Sequence, residues 1–176
     1  MKDCLLAVDV FGDFEHEDGE RLLASLRERA AGFVRTLDGA RRRDVPAVFA
    51  NDTYGVWDGD VRRLVERAVA GPGGDVLGQL EPREGEAFLV KPRYSAFDLT
   101  PLELVLAQLG VERILLMGMA TEMCVTQTAI DARERELKVT VVREACATVD
   151  PRAEAVALDY LVAVTGTIVV DTLEDA

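Results

Sequence analysis

Six short apolar runs punctuate this chain, at residues 5–10, 45–50, 86–91, 111–117, 138–142 and 167–170, and each is continuous rather than alternating with polar residues. A strand covered on one face alternates; a strand covered on both faces does not. Between the runs lie amphipathic stretches, at 19–37, 58–70, 100–109, 125–137 and 150–164, that read as helices. This alternation predicts an α/β fold. The expected form is a three-layer, doubly wound sandwich with a six-stranded, mostly parallel sheet at its centre. Residues 71–85 are rich in Gly and Pro and read as a loop, with a short extended piece at 75–80. Thr100-Pro101-Leu102-Glu103 starts a helix, with Thr as N-cap, Pro at the first position and Glu closing a capping box. Asp150-Pro151 opens the last one. A length of 176 residues suits one domain, 1–176, with a full core.

Charge excludes some partners. The 32 acidic and 20 basic residues leave a formal net charge of −12. Such a surface repels nucleic-acid phosphates and anionic lipid, so neither is an expected partner. No apolar run has the length of a membrane span, and residues 1–4 enter a strand-like run rather than a signal peptide, which predicts a cytoplasmic protein. Arg41-Arg42-Arg43 reads as a solvated helix end. The three cysteines, Cys4, Cys124 and Cys146, cannot all pair within the chain and show no CxxC spacing. Cys4 and Cys146 lie in or beside strands and read as small buried apolar residues.

Cys124 is different. It closes the run Gly118-Met119-Ala120-Thr121-Glu122-Met123-Cys124, between a buried strand and a helix. The thiol is expected in the first helical turn, with Thr121 as N-cap, where unpaired backbone N–H groups favour thiolate. That makes it a candidate nucleophile. Functional groups of doubly wound sheets sit beyond the carboxyl ends of the strands. Asp9 ends the first run, Lys91 ends the third, and Cys124 follows the fourth, so the three should share one sheet edge. Asp9 can accept a thiol proton and return it to a leaving amine; Lys91 can supply positive charge. The one histidine, His16, lies in the acidic segment Phe14-Glu15-His16-Glu17-Asp18, which reads as a solvated loop rather than the partner of a Cys-His pair.

Three blocks of this sequence resemble the isochorismatase-like cysteine hydrolases, which include nicotinamidases and N-carbamoylsarcosine amidase. They are Leu5-Leu6-Ala7-Val8-Asp9-Val10-Phe11-Gly12-Asp13-Phe14, Lys91-Pro92-Arg93-Tyr94-Ser95-Ala96-Phe97, and Gly118 to Val125 with its Gly-x-Ala-Thr-Glu-x-Cys-Val pattern. Their order and spacing agree across nearly the whole chain. The resemblance implies a catalytic triad of Asp9, Lys91 and Cys124, with a thioester on the cysteine. It also implies a cis peptide between Met119 and Ala120, an oxyanion hole made by the backbone N–H groups of Ala120 and Cys124, and a homodimer or homotetramer.

The departures from that family narrow the chemistry. Nicotinamidases carry a metal near Asp-x-His. Here the matching stretch is Asn51-Asp52-Thr53-Tyr54, with no histidine anywhere downstream, so neither a metal nor another cofactor is expected. Asp52 either binds a polar group of the substrate or supports its own loop. Phe14, Trp57 and Tyr94 are the aromatic candidates for the substrate pocket. The expected reaction is hydrolysis of a C–N bond in a small amide, ureido or carbamoyl compound. Its rivals are vinyl-ether hydrolysis of an isochorismate-like acid, and a catalytically silent ligand-binding protein on the same scaffold.

Overall fold

The computed structural model describes residues 1–57 and 59–176. In chain order the elements are β1 (Asp3–Val8), α1 (Gly19–Glu28), α2 (Ala30–Arg42), β2 (Ala47–Asn51), α3 (Val61–Ala70), α4 (Gly74–Leu77), β3 (Ala87–Val90), α5 (Leu102–Leu109), β4 (Arg113–Met119), α6 (Thr126–Glu134), β5 (Lys138–Ala147), α7 (Pro151–Tyr160) and β6 (Ile168–Val170). The strands form one sheet in the order β3-β2-β1-β4-β5-β6. All five pairings are parallel.

The continuous runs have a direct explanation in packing. Leu5 and Ala7 of β1 join a cluster with Leu26, Phe33, Leu37, Leu64 and Leu77 from α1–α4. Cys4, Leu6 and Val8 point the other way, into a cluster with Leu102, Leu106, Ala129 and Leu158 from α5–α7. Both faces of the strand are covered, so no polar alternation survives. The sheet order reverses direction between β1 and β4. Ligands of open α/β sheets bind at such a reversal, outside the carboxyl ends of the strands.

Several local expectations need correction. The helix expected over 19–37 is two helices that break at Arg29, whose guanidinium turns inward to a buried carboxylate. The loop at 71–85 contains the short helix α4 instead of an extended piece at 75–80; Val76 and Leu77 are buried from it. The third helix starts at Val61, capped by the Asp60 side chain on the Arg63 N–H; Asp58, its expected start, lies outside the described residues. Thr100 does accept the Leu102 N–H, at 3.2 Å, although the helix itself begins one residue later than expected. Asp150 caps α7 through the Arg152 N–H at 2.8 Å. Arg41 is not a solvated helix end: it makes a two-point ion pair with Glu86, at 2.8 and 2.7 Å, tying α2 to the start of β3.

Strand β5 runs to Ala147, five residues beyond its expected end. Its pairing with β4 shifts between Leu116, opposite Val141, and Gly118, opposite Cys146. The extra β5 residues form a bulge, and beyond it the strand resumes beside the end of β4. Cys4 and Cys146 are fully buried, and burial pushes both thiols up to about 12, as expected of inert apolar cysteines.

Candidate active site

Parallel strands deliver Asp9, Lys91 and Cys124 to one edge. Asp9 follows β1 by one residue, Lys91 follows β3 by one, and Cys124 lies five residues past β4. Asp9 sits in the left-handed region at φ 49°, which aspartate tolerates better than most residues. Its backbone N–H donates to the Ala50 carbonyl at 2.9 Å, and its Oδ1 accepts the Asp52 N–H at 2.8 Å. Asn51 holds the next turn in place, accepting the Phe11 N–H at 2.8 Å and donating to the Phe11 carbonyl at 3.0 Å.

Lys91 joins the group. Its Nζ lies 2.6 Å from Asp9 Oδ2, 2.7 Å from the Arg93 carbonyl and 3.6 Å from Cys124 Sγ. The lysine is 1% exposed, so these contacts replace water. Cys124 and Asp9 also shift each other's ionisation. Burial pushes the Asp9 carboxyl above its ordinary value, against the pull of Lys91. Burial also pushes the Cys124 thiol up, and the Asp9 charge adds to that, outweighing Lys91. Burial and the neighbouring Asp9 thus both oppose thiolate at Cys124, a contribution that the expectation from the helix end alone did not contain.

The turn that carries the cysteine is a π-helical turn, Thr121–Val125, leading into α6. Val125 N–H reaches back to the Ala120 carbonyl at 3.3 Å. The Met119–Ala120 peptide bond is cis. Gly118 explains the start of the motif. At φ 141°, it brings β4 so close to β1 that an added Cβ would lie 2.0 Å from the Val8 carbonyl oxygen. A side chain there would push Asp9 and the cysteine turn apart.

Thr121 is not the side-chain cap that its position suggests. Its hydroxyl lies 3.0 Å from the Ala147 carbonyl and 2.9 Å from Glu154 Oε1. Glu154, on α7, is 6% exposed and makes a two-point pair with Arg29, at 2.6 and 2.7 Å. A buried carboxylate is a stronger partner for the hydroxyl than a neighbouring amide. Glu122 supports the other side, accepting the Thr148 hydroxyl at 2.8 Å and the Val149 N–H at 2.9 Å. Arg29 and Glu154 carried no sequence signal, because each lies far along the chain from the motif it supports.

A cavity of about 240 Å³ opens over the thiol. Its wall includes Asp9, His16, Asp18, Leu22, Asp52, Tyr54, Tyr94, Met119, Met123 and Cys124. Asp52 and Tyr94 thus reach it. Phe14 does not: it is 8% exposed and packs into the core under the site. Trp57 stands 63% exposed, outside the cavity wall. His16 and Tyr54 are at the cavity although the sequence marked neither as lining. A larger groove beside α3, lined by Thr53, Leu64, Glu66 and Arg67, has none of Asp9, Lys91 and Cys124 among its described lining residues.

The residues at Asp52 do not fit a metal. Asp52 Oδ1 accepts the Tyr54 N–H at 2.7 Å, and Tyr54 offers a phenol, pushed well up by burial and by Asp9 and Asp52. A carboxylate and a neutral phenol are not a zinc set, and no group of three His, Cys, Asp or Glu among the described residues has metal-holding geometry.

The isochorismatase domain model matches residues 3–172. The chain belongs to the isochorismatase family. An uncharacterized isochorismatase family protein of Bacillus subtilis, YaaI, is 32% identical over 143 residues, covering 81% of this chain and 79% of its own length. The crystal structure of nicotinamidase PncA from Bacillus subtilis superposes with a TM-score of 0.79 at 25% identity, covering 97% of this chain and all of that one. N-carbamoylsarcosine amidase from Thermoplasma acidophilum gives a TM-score of 0.73 at 28% identity, over 96% and 95% of the two chains. The three sequence blocks fall within the matched region, and the protein is an isochorismatase-family hydrolase with a small-molecule substrate. Among the described residues, no helix of this family member is long and apolar enough to cross a membrane.

Proposed function

We propose that the protein hydrolyses a C–N bond of a small amide through a thioester on Cys124. The observation that carries this reading is the position of one buried ammonium, Lys91 Nζ, 2.6 Å from the Asp9 carboxylate and 3.6 Å from the Cys124 sulfur, the two residues of the group that line a cavity. The amidases among the structural relatives support it.

Asp9 takes the thiol proton as sulfur attacks the substrate carbonyl carbon, and the carbonyl oxygen becomes an oxyanion. The backbone N–H groups of Ala120 and Cys124 are the proposed donors to it. Collapse breaks the C–N bond, and Asp9 gives its proton to the departing amine, leaving a thioester. Water then attacks the thioester carbon and gives a proton to Asp9. The C–S bond breaks, the acid product leaves, and Asp9 returns the proton to sulfur. Lys91 stays charged throughout and stabilises each anion in turn: carboxylate, then thiolate. A neutral resting thiol suits this sequence, because transfer to Asp9 is needed only as the C–S bond forms.

The test is a screen of small amides with mass detection of an acyl adduct on Cys124, repeated with Cys124→Ala. Loss of turnover and adduct in a folded variant is expected. Turnover that survives Cys124→Ala but fails in Asp9→Asn would overturn the thioester and favour vinyl-ether chemistry.

A further inference from the structure

The cavity wall is acidic, and Lys91, buried behind Asp9 and Cys124, has no donor left to offer a ligand. An ammonium has three N–H groups. Those of Lys91 face three acceptors: Asp9 Oδ2 at 2.6 Å, the Arg93 carbonyl at 2.7 Å and Cys124 Sγ at 3.6 Å. Besides Asp9, the cavity wall carries the carboxylates of Asp18 and Asp52, and the ring of His16. Asp18 is ion-paired with Arg21 at the rim. Asp52 is half-buried and its described partner is the Tyr54 N–H, on Oδ1. No arginine lines the cavity among the described residues. The adjoining groove, which shares Asp52 and Tyr94, does carry Arg93, but with Asp98 and Asp131 beside it.

We infer that this site takes a small amide that is neutral or cationic and turns away amides bearing a carboxylate, with Asp52 reading an N–H or ammonium group of the substrate. The inference rests on the amide-hydrolase reading above. In a cavity of about 240 Å³, a substrate carboxylate cannot stand far from Asp52. Two like charges about 5 Å apart, at an effective dielectric of about 20, disfavour binding on the order of 100-fold. An ammonium in the same place is favoured by the same field. Tyr54, a neutral phenol beside Asp52, adds a hydroxyl that can donate to a substrate carbonyl without adding charge.

Three primary amides that differ only at the far end test this: butanamide, succinamate and β-alaninamide, ending in methyl, carboxylate and ammonium. Ammonia release gives kcat/KM for each. In parallel, each is tested for protection of Cys124 against alkylation, which reads binding without turnover. Butanamide and β-alaninamide should exceed succinamate by about tenfold or more in either measure. Asp52→Asn should narrow that gap, chiefly by raising KM for β-alaninamide and lowering it for succinamate. A preference for succinamate, a gap unmoved by Asp52→Asn, or no protection by either uncharged or cationic amide overturns the inference. Failure of the hydrolase reading leaves a different mark: protection in the expected charge order, with no acyl adduct from any of the three.

Discussion

Lys91 Nζ meets Asp9 Oδ2 at 2.6 Å, although the strands that end at these residues are not neighbours and β2 lies between them. The lysine side chain spans the end of β2, and the loop after β2 closes over the pair through the Asp52 N–H. Both side chains are almost fully buried, so each is the other's solvent.

Removing one partner leaves a buried, uncompensated charge. Asp9→Leu and Lys91→Met should each lower stability by about 3–5 kcal/mol, whereas the double variant should regain much of that loss. None of the three should turn over substrate. Urea unfolding with a double-mutant cycle measures the coupling. Additive losses would mean that the two charges do not depend on each other.

The carboxylate behind the cysteine turn gives a second expectation. Glu154→Gln breaks the two-point pair with Arg29 and weakens the contact with the Thr121 hydroxyl. It should cost about 2–3 kcal/mol, at the low end for a buried pair because Arg29 is partly solvated. Thr121→Val removes one hydroxyl and should cost about 1–2 kcal/mol. A turn that positions sulfur should lose kcat more than KM in both variants. Equal stability losses with untouched kcat would make the network purely structural.

Two glycines at positive φ separate backbone strain from collision. Gly85, at φ 88°, has nothing within 4 Å of an added Cβ, and Gly85→Ala should cost about 1 kcal/mol. Gly118→Ala would place its Cβ 2.0 Å from the Val8 oxygen, and should cost more than about 3 kcal/mol or prevent folding. Thermal unfolding of both variants reads the difference directly.

The pH dependence follows from Asp9. The carboxyl must be ionised to accept the thiol proton, and its folded-state pKa is raised by burial. Thus kcat/KM should rise with pH through an apparent pKa above the usual carboxylate range, rather than fall as carboxylates ionise. Cys124, pushed up by burial, should show no thiolate at neutral pH. The ultraviolet difference between the wild-type protein and Cys124→Ala should contain a thiolate band only above the ordinary thiol range. A band at neutral pH would contradict a proton transfer coupled to attack.

Much of this was legible in the chain because strand ends are legible. Two-sided burial writes continuous apolar runs, and a parallel sheet sends every run's end to the same edge, which is how Asp9, Lys91 and Cys124 could be grouped without coordinates. What depended on partners distant in sequence was not legible. The Thr121 hydroxyl looked like a cap until Glu154, 33 residues away, offered a better acceptor. Cys124 looked activated because the helix end was visible and its desolvation was not. Phe14 and Trp57 were both aromatic residues in loops at the right edge; one folds under the site and the other faces solvent. Tyr54 could have been found from its position two residues after Asp52; it lines the same cavity as Cys124.

The carbonyl of Arg93 is one of the three acceptors around the Lys91 ammonium, and the next residue, Tyr94, forms part of the cavity wall. In the proposed mechanism, recognition and reactivity therefore share one stretch of main chain. A change at Tyr94 that shifts this loop also shifts the lysine, so new specificity acquired there would come with altered rate. The opposite rim, at His16 and Asp18, has no bond to Asp9, Lys91 or Cys124 among the described residues. Divergence toward new substrates should accumulate on that side, where the wall can change while the reacting groups stay where they are.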